Sequence, residues 1–230
     1  MIKEFSIIIP VFNEEDNISK LIEEIKISLK TEHFYEIIII NDGSYDNTKK
    51  ILNNINEDNL IIFNLNKNYG QSYSLHYGIN KAKYDNIVTI DGDLQNDPKD
   101  INKLLDIYFS NKNLKLVSGI RRNRKDTFIK IVSSKLANSI RSKFLNDNCP
   151  DTGCSLKIFQ KNIFLKIEFF NGLHRFIPTF FENMDLKVKY IDVNHRRRVS
   201  GISKYGTFDR LYKGIKDLIK VKKLINRINK

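Results

Sequence analysis

Short β-branched apolar runs alternate with stretches whose apolar residues fall three and four apart, and this alternation organises the first 120 residues. Residues 5–11 predict a strand, with Pro10 at its end where a missing N–H does little harm. Asn13 is expected to cap the next helix, with Glu14, Glu15 and Asp16 near its positive end and Ile18, Leu21, Ile22, Ile25 and Leu29 facing inward. Residues 36–40 form a second strand, apolar at every position from Ile37 to Ile40, as inside a parallel sheet. Asp46 is expected to cap a helix that turns Thr48, Ile51, Leu52 and Ile55 inward. Residues 60–65 predict strand three, and 66–70 a turn into a helix with Leu75, Ile79 and Ala82. Residues 86–90 predict strand four. Asp97 and Pro98 then read as cap and first residue of a helix carrying Ile101, Leu104, Leu105 and Tyr108, and 115–119 closes this half as strand five. Four β-α repeats and a closing strand predict an α/β fold, a doubly wound and mostly parallel sheet.

Beyond residue 120 the pattern changes. Arg121, Arg122, Arg124 and Lys125 form a basic turn. Residues 126–145 predict an amphipathic helix with Phe128, Ile131, Val132, Leu136, Ile140 and Phe144 inward. A tight turn at 151–157 leads into a strand, and 186–193 predicts another. Residues 207–230 predict a C-terminal amphipathic helix, apolar on Phe208, Leu211, Tyr212, Ile215, Leu218, Ile219, Ile225 and Ile228. From 204 to 230 nine Lys/Arg stand against two Asp, a net of +7.

Charge and cysteine content narrow the partners. A formal net charge of +12 suggests a polyanion: nucleic acid, anionic lipid or a phosphorylated substrate. Nucleic acid is set aside, since no helix-turn-helix, zinc-finger or RNA-recognition signature is present. Two cysteines, Cys149 and Cys154, without metal-type spacing fit a reduced, cytoplasmic setting. No apolar run approaches the ~20 residues that span a bilayer, so membrane contact is expected to be peripheral or through a partner.

The candidate chemistry lies where strands end. Acidic and amide groups recur there: Asn13 and Glu14, Asp42, then Asp91-Gly92-Asp93-Leu94-Gln95. In an open α/β sheet that edge binds ligands. Asp91, Asp93 and Gln95 offer hard oxygens suited to Mg²⁺ or Mn²⁺, which commonly accompany a diphosphate. There is no Gly-x-Gly-x-x-Gly after strand one and no Gly-Lys-[Ser/Thr], which excludes dehydrogenase and P-loop readings. A pocket that holds a nucleotide by its sugar, and its diphosphate through a cation, suits a nucleotide-sugar donor. His174 and His195 are expected to be structural, and Cys154 a packed residue. One or two of Arg196–Arg198 are expected at phosphate.

Six pieces in order resemble the family 2 glycosyltransferases: Pro10-Val-Phe-Asn-Glu14, Asn41-Asp-Gly-Ser44, Asp91-Gly-Asp-Leu-Gln95, Asp151-Thr-Gly-Cys154, His174-Arg-Phe-Ile-Pro178 and His195-x-x-Arg-x-x-Gly-x-Ser-Lys-Tyr205. The late pieces are similar to the polyprenyl-phosphate branch, of the dolichol-phosphate mannosyltransferase type. The resemblance implies a GT-A type fold and metal-dependent, inverting transfer of a sugar from a UDP- or GDP-sugar to a polyprenyl phosphate. By position, Pro10, Glu14 and Asp42 would hold the nucleoside with help from Asp91. Asp93 and Gln95, with Asp91, would hold the metal. Arg121, Lys130 and Ser134 would lie near the acceptor phosphate, and Arg198 and Ser203 in a loop over the donor. Asn41 stands where the family often has an Asp, and Lys130 where a second Arg is common. The implied division is 1–120 for the donor, 121–206 for the acceptor and 207–230 for the surface of a membrane, on its cytoplasmic face. The C-terminal transmembrane helices many relatives carry are not among these residues, which leaves the mode of membrane attachment open, a separate transmembrane partner being one form of it.

Overall fold

The computed structural model describes residues 3–31, 33–121, 138–197 and 207–228. Its strands are β1 (Glu4–Val11), β2 (Phe34–Asn41), β3 (Leu60–Asn64), β4 (Asn86–Thr89), β5 (Leu114–Arg121), β6 (Lys157–Gln160) and β7 (Lys187–Val193). The helices are α1 (Ile18–Ser28), α2 (Thr48–Asn53), α3 (Gln71–Lys81), α4 (Asp100–Ser110), α5 (Lys161–Phe164), α6 (Leu173–Asn183) and α7 (Thr207–Ile228). A further helical run occupies 138–145.

The seven strands form one sheet in the order β3-β2-β1-β4-β6-β5-β7. The chain moves outward from β1 through β2 to β3, then returns to place β4 on the other side of β1. That reversal between β1 and β4 is a topological switch point, where the loops leaving two neighbouring strands diverge and open a crevice. β6 is the exception to parallel pairing: it runs antiparallel to both β4 and β5. Its direction matters to the site, because it brings Lys157 opposite Thr89, at the carboxyl end of β4.

Successive strand residues point to opposite faces, and both faces are covered. Ile7, Ile9, Ile37 and Ile39 pack on one side with α1 and α4. Ile8, Ile38 and Ile40 pack on the other with Leu75 and Ile79 of α3 and Phe176, Ile177 and Phe180 of α6. α7 joins this second core through Val221, Leu224 and Ile225.

Several local expectations are corrected. Asn13 does not cap α1; it sits at φ 57°, and its Oδ1 accepts the Tyr45 N–H at 3.0 Å, tying two loops together. Helix α1 starts at Ile18, whose N–H bonds to the Glu14 carbonyl. Asp97 accepts the Lys99 N–H and opens a turn, so α4 begins only at Asp100. Ile140 and Phe144 are exposed, not inward; Arg141 and Leu145 take the buried positions. Ile225 is core, whereas Ile215, Ile219 and Ile228 are exposed.

Candidate active site

The loops after β1, β2 and β4 meet at the carboxyl edge through a chain of contacts. Asp42, 3% exposed, accepts the N–H groups of Tyr69 and Gly70, each at 2.8 Å, one on each carboxylate oxygen. This fixes the entry to α3. Gly43 makes the close approach possible: at φ +69°, a Cβ there would fall 2.4 Å from the Lys67 carbonyl carbon. The residue after Gly70, Gln71, opens α3 and donates its Nε2–H to Asp91 Oδ1 at 2.7 Å. On the other side Gly92 packs on Val11 and Pro10, with Glu14 Cγ 3.6 Å from where its Cβ would be. Glu14 is set in turn by Thr48, whose Oγ1 accepts the Glu14 N–H at 2.9 Å. Contacts thus tie the loops carrying Pro10, Glu14, Asp42 and Asp91 to one another at the switch point.

Within the acidic turn, Asp93 Oδ1 accepts the Gln95 N–H at 3.2 Å. Leu94 between them is buried at φ 58°, a left-handed conformation that costs an L-residue roughly 1–2 kcal/mol. Burial, and then the neighbouring Asp93 carboxylate, push the Asp91 carboxyl up to about 6, against the opposing pull of Ser155, Lys157 and Arg121. A carboxyl raised in this way by burial and a neighbouring carboxylate fits a divalent cation, which would relieve the repulsion. Among the described residues no three His, Cys, Asp or Glu side chains form a ligand set by themselves. A ligand set at this turn would draw on the Asp91 and Asp93 carboxylates and the Gln95 amide oxygen.

A second segment closes over this turn. The Arg196 N–H donates to the Gln95 carbonyl at 2.8 Å, and Asn96 bridges His195. Arg196 itself is committed: it pairs with Glu24 at 2.5 Å and with Asp97 at 2.9 Å. It anchors the segment, and Arg197 is exposed. Asp100, fully buried, accepts the Asn194 N–H at 2.6 Å and holds the same segment from α4.

Arg121 leaves β5 and meets Asp151 in a two-pronged pair, Nε to Oδ2 and Nη2 to Oδ1, both at 2.8 Å. This uses two of its five N–H donors. Gly153 lies against the guanidinium, where a Cβ would be 2.4 Å from Nη2. Lys130, Ser134, Arg198 and Ser203 lie outside the described residues.

Beside Asp91 a pocket of about 120 Å³ opens, lined among others by Gln71, Thr89, Ser155, Lys157, His174 and Arg175. Sequence reasoning passed over Gln71, Ser155 and Lys157. Lys157 carried a signal: it is a charge inside the apolar run from Leu156 to Phe159, and its 2% exposure shows the side chain turned into the protein, where Nζ bonds the Cys154 carbonyl. Cys154 is packed and fully buried, as expected.

A doubly wound sheet with an acidic, cation-fitting turn at its switch point is the architecture of a GT-A type nucleotide-sugar enzyme. Residues 6–167 match the family described as glycosyl transferase family 2, and the chain belongs to that family. It is 34% identical over 228 residues to a dodecaprenyl-phosphate galacturonate synthase of Rhizobium johnstonii, covering 95% of this chain and 66% of that protein. It is also 34% identical over 222 residues to an undecaprenyl-phosphate 4-deoxy-4-formamido-L-arabinose transferase of Proteus mirabilis, covering 95% of this chain and 67% of the relative. The chain therefore spans about two thirds of the length of these polyprenyl-phosphate sugar transferases. Glucosyl-3-phosphoglycerate synthase from Mycobacterium tuberculosis, solved with Mn²⁺, UDP-glucose and phosphoglyceric acid, shares the fold: TM-score 0.71, 17% identity, 98% of this chain and 80% of that one. The same enzyme with Mg²⁺ and UDP gives a TM-score of 0.69 at 16% identity, over 95% and 77% of the two chains. Among the described residues no helix is long and apolar enough to cross a membrane.

Proposed function

We propose that the chain moves a sugar from a UDP- or GDP-sugar to a polyprenyl phosphate, with inversion at the anomeric carbon and a divalent cation, Mg²⁺ or Mn²⁺. The observation that carries this is the chain of contacts that links the loops of Asp42, Gln71, Asp91 and Glu14 at the switch point. The similarity to two polyprenyl-phosphate sugar transferases supports the acceptor class.

In this reading Pro10, Glu14 and Asp42 hold the nucleoside. Asp91, Asp93 and Gln95 hold the cation. A cation bound there supplies positive charge against the leaving nucleoside diphosphate. Lys157 and Arg121 add fixed positive charge behind Asp91. An acceptor phosphate oxygen attacks the anomeric carbon, the bond to the diphosphate breaks, and the electron pair leaves with the nucleoside diphosphate. A phosphate is already ionised at neutral pH, so no general base is needed and the protein's work is positioning and charge stabilisation. Arg121, Lys130 and Ser134 serve the acceptor phosphate; Arg198 and Ser203 serve the donor.

The acceptor is met at a membrane surface, on the cytoplasmic side, with or without a separate transmembrane partner. Exposed Ile140, Phe144, Ile215 and Ile219, together with the basic α7, support that contact. In a liposome flotation assay with anionic vesicles, Ile215→Ser with Ile219→Ser should lower the bound fraction; unaltered flotation rejects the surface. Point changes suit this test better than removal of α7, whose Val221, Leu224 and Ile225 are core.

The decisive experiment supplies the purified chain with UDP- and GDP-sugars, Mn²⁺ or Mg²⁺, and a polyprenyl phosphate in detergent, beside a parallel reaction with soluble glycans. A metal-dependent glycolipid is expected. Product only on the soluble glycan would reject the lipid acceptor.

A further inference from the structure

His174 is a pocket side chain to which the mechanism above gives no task. His174 is the second residue of α6, and Ser72 is the second residue of α3, so two helix starts meet at the pocket. Ser72 Oγ accepts the Gly172 N–H at 2.8 Å and lies 2.6 Å from His174 Nδ1. A backbone N–H can only donate, so Ser72 Oγ, which accepts from Gly172, still has its own proton to give to Nδ1. In that arrangement Nδ1 accepts and the ring proton sits on Nε2, the nitrogen not engaged by Ser72. His174 is also one of the residues lining the pocket beside Asp91.

We propose that His174, held by Ser72 as its Nε2–H tautomer, donates a hydrogen bond to a hydroxyl of the sugar being transferred and thereby helps select the donor. This deepens the transferase reading and rests on it. The ring stays neutral at ordinary pH. Burial, then Arg175 and Lys157, hold its pKa well below the usual histidine value, and a site at the start of α6 disfavours a cation further. His174 is therefore a fixed donor and not a proton shuttle. Gln71 supplies the complement: its Nε2–H is given to Asp91, which leaves its carbonyl oxygen as an acceptor. A donor and an acceptor lining the same pocket suit sugar hydroxyls, which both give and receive. A site built to bond a hydroxyl discriminates strongly against analogues that lack it, because its own polar group is then left unpaired.

The test uses the full chain, with His174→Phe, His174→Gln and Ser72→Ala. Binding of UDP- and GDP-sugars and of free UDP and GDP is measured by calorimetry with Mn²⁺, alongside turnover. His174→Phe should weaken the nucleotide sugar about 10- to 100-fold while the free nucleoside diphosphate keeps its affinity. His174→Gln, which still carries an N–H donor, should recover part of the loss, and Ser72→Ala should fall between. Equal weakening of nucleotide sugar and nucleoside diphosphate would show a merely structural histidine and overturn the proposal. So would unaltered binding of both. Absence of turnover by the unaltered protein on every donor would reject the transferase reading itself, while the binding comparison still judges His174.

Discussion

Arg121 and Asp151 face each other fork to fork, with both N–H···O distances at 2.8 Å and side chains only 14% and 10% exposed. The pair joins the end of β5 to the turn before β6, and Gly153 packs on it. Removing one partner strands a desolvated charge. Asp151→Ala should cost about 3 kcal/mol of stability and raise KM for the lipid acceptor more than for the donor. The midpoint of urea unfolding and acceptor kinetics check this; a midpoint equal to that of the unaltered protein would reject the structural weight given to the pair.

Asp42 and Gly43 should act as one unit. Asp42→Asn replaces one accepting oxygen with an NH₂ group, so either Tyr69 or Gly70 loses its partner, at about 1–3 kcal/mol. Gly43→Ala reaches the same loop by another route, through its positive φ and the clash with Lys67. Both variants should melt earlier and bind UDP or GDP more weakly. If Gly43→Ala titrates nucleoside diphosphate normally, the loop from 66 to 70 does not shape the nucleoside site.

Asp93 separates chemistry from folding. It is partly exposed, and its Oδ1 accepts the Gln95 N–H at 3.2 Å. Asp93→Ala should lower turnover by at least about two orders of magnitude with a stability change within about 1 kcal/mol. Near-normal turnover in saturating Mn²⁺ would remove Asp93 from the metal's ligands.

His174 gives a pH signature whose sign follows from its lowered pKa. The unfolded chain takes up a proton near the ordinary histidine value while the folded chain does not, so stability is full above about pH 6.5 and is lost as pH falls below it. His174→Gln should lessen the drop in Tm between pH 7.5 and pH 5. The drop should not vanish, because burial lowers His76 as well. Identical slopes for variant and parent would mean that the ring is not held neutral.

The first half of the fold was legible because its information is local. Runs such as Ile37–Ile40 are apolar at every position, which only a strand covered on both faces requires, and the acidic residues fall where those runs stop. The position of β6 was not legible. Its antiparallel insertion pairs residues some seventy positions apart with β4 and some forty apart with β5, and strand pairing leaves no mark in either segment alone. The same holds for Arg141. The helical pattern turned Ile140 and Phe144 inward, yet Arg141 took the buried place because Asp147 accepts its guanidinium at 2.6 Å and Thr179 completes the pair from α6. A charge can be buried only where partners already wait for it, and Thr179 arrives from a distant part of the chain. Sequence determined which groups stand at the strand ends; tertiary structure decided which of them are spent on holding one another, as Arg196 is on Glu24 and Asp97, and which face the pocket.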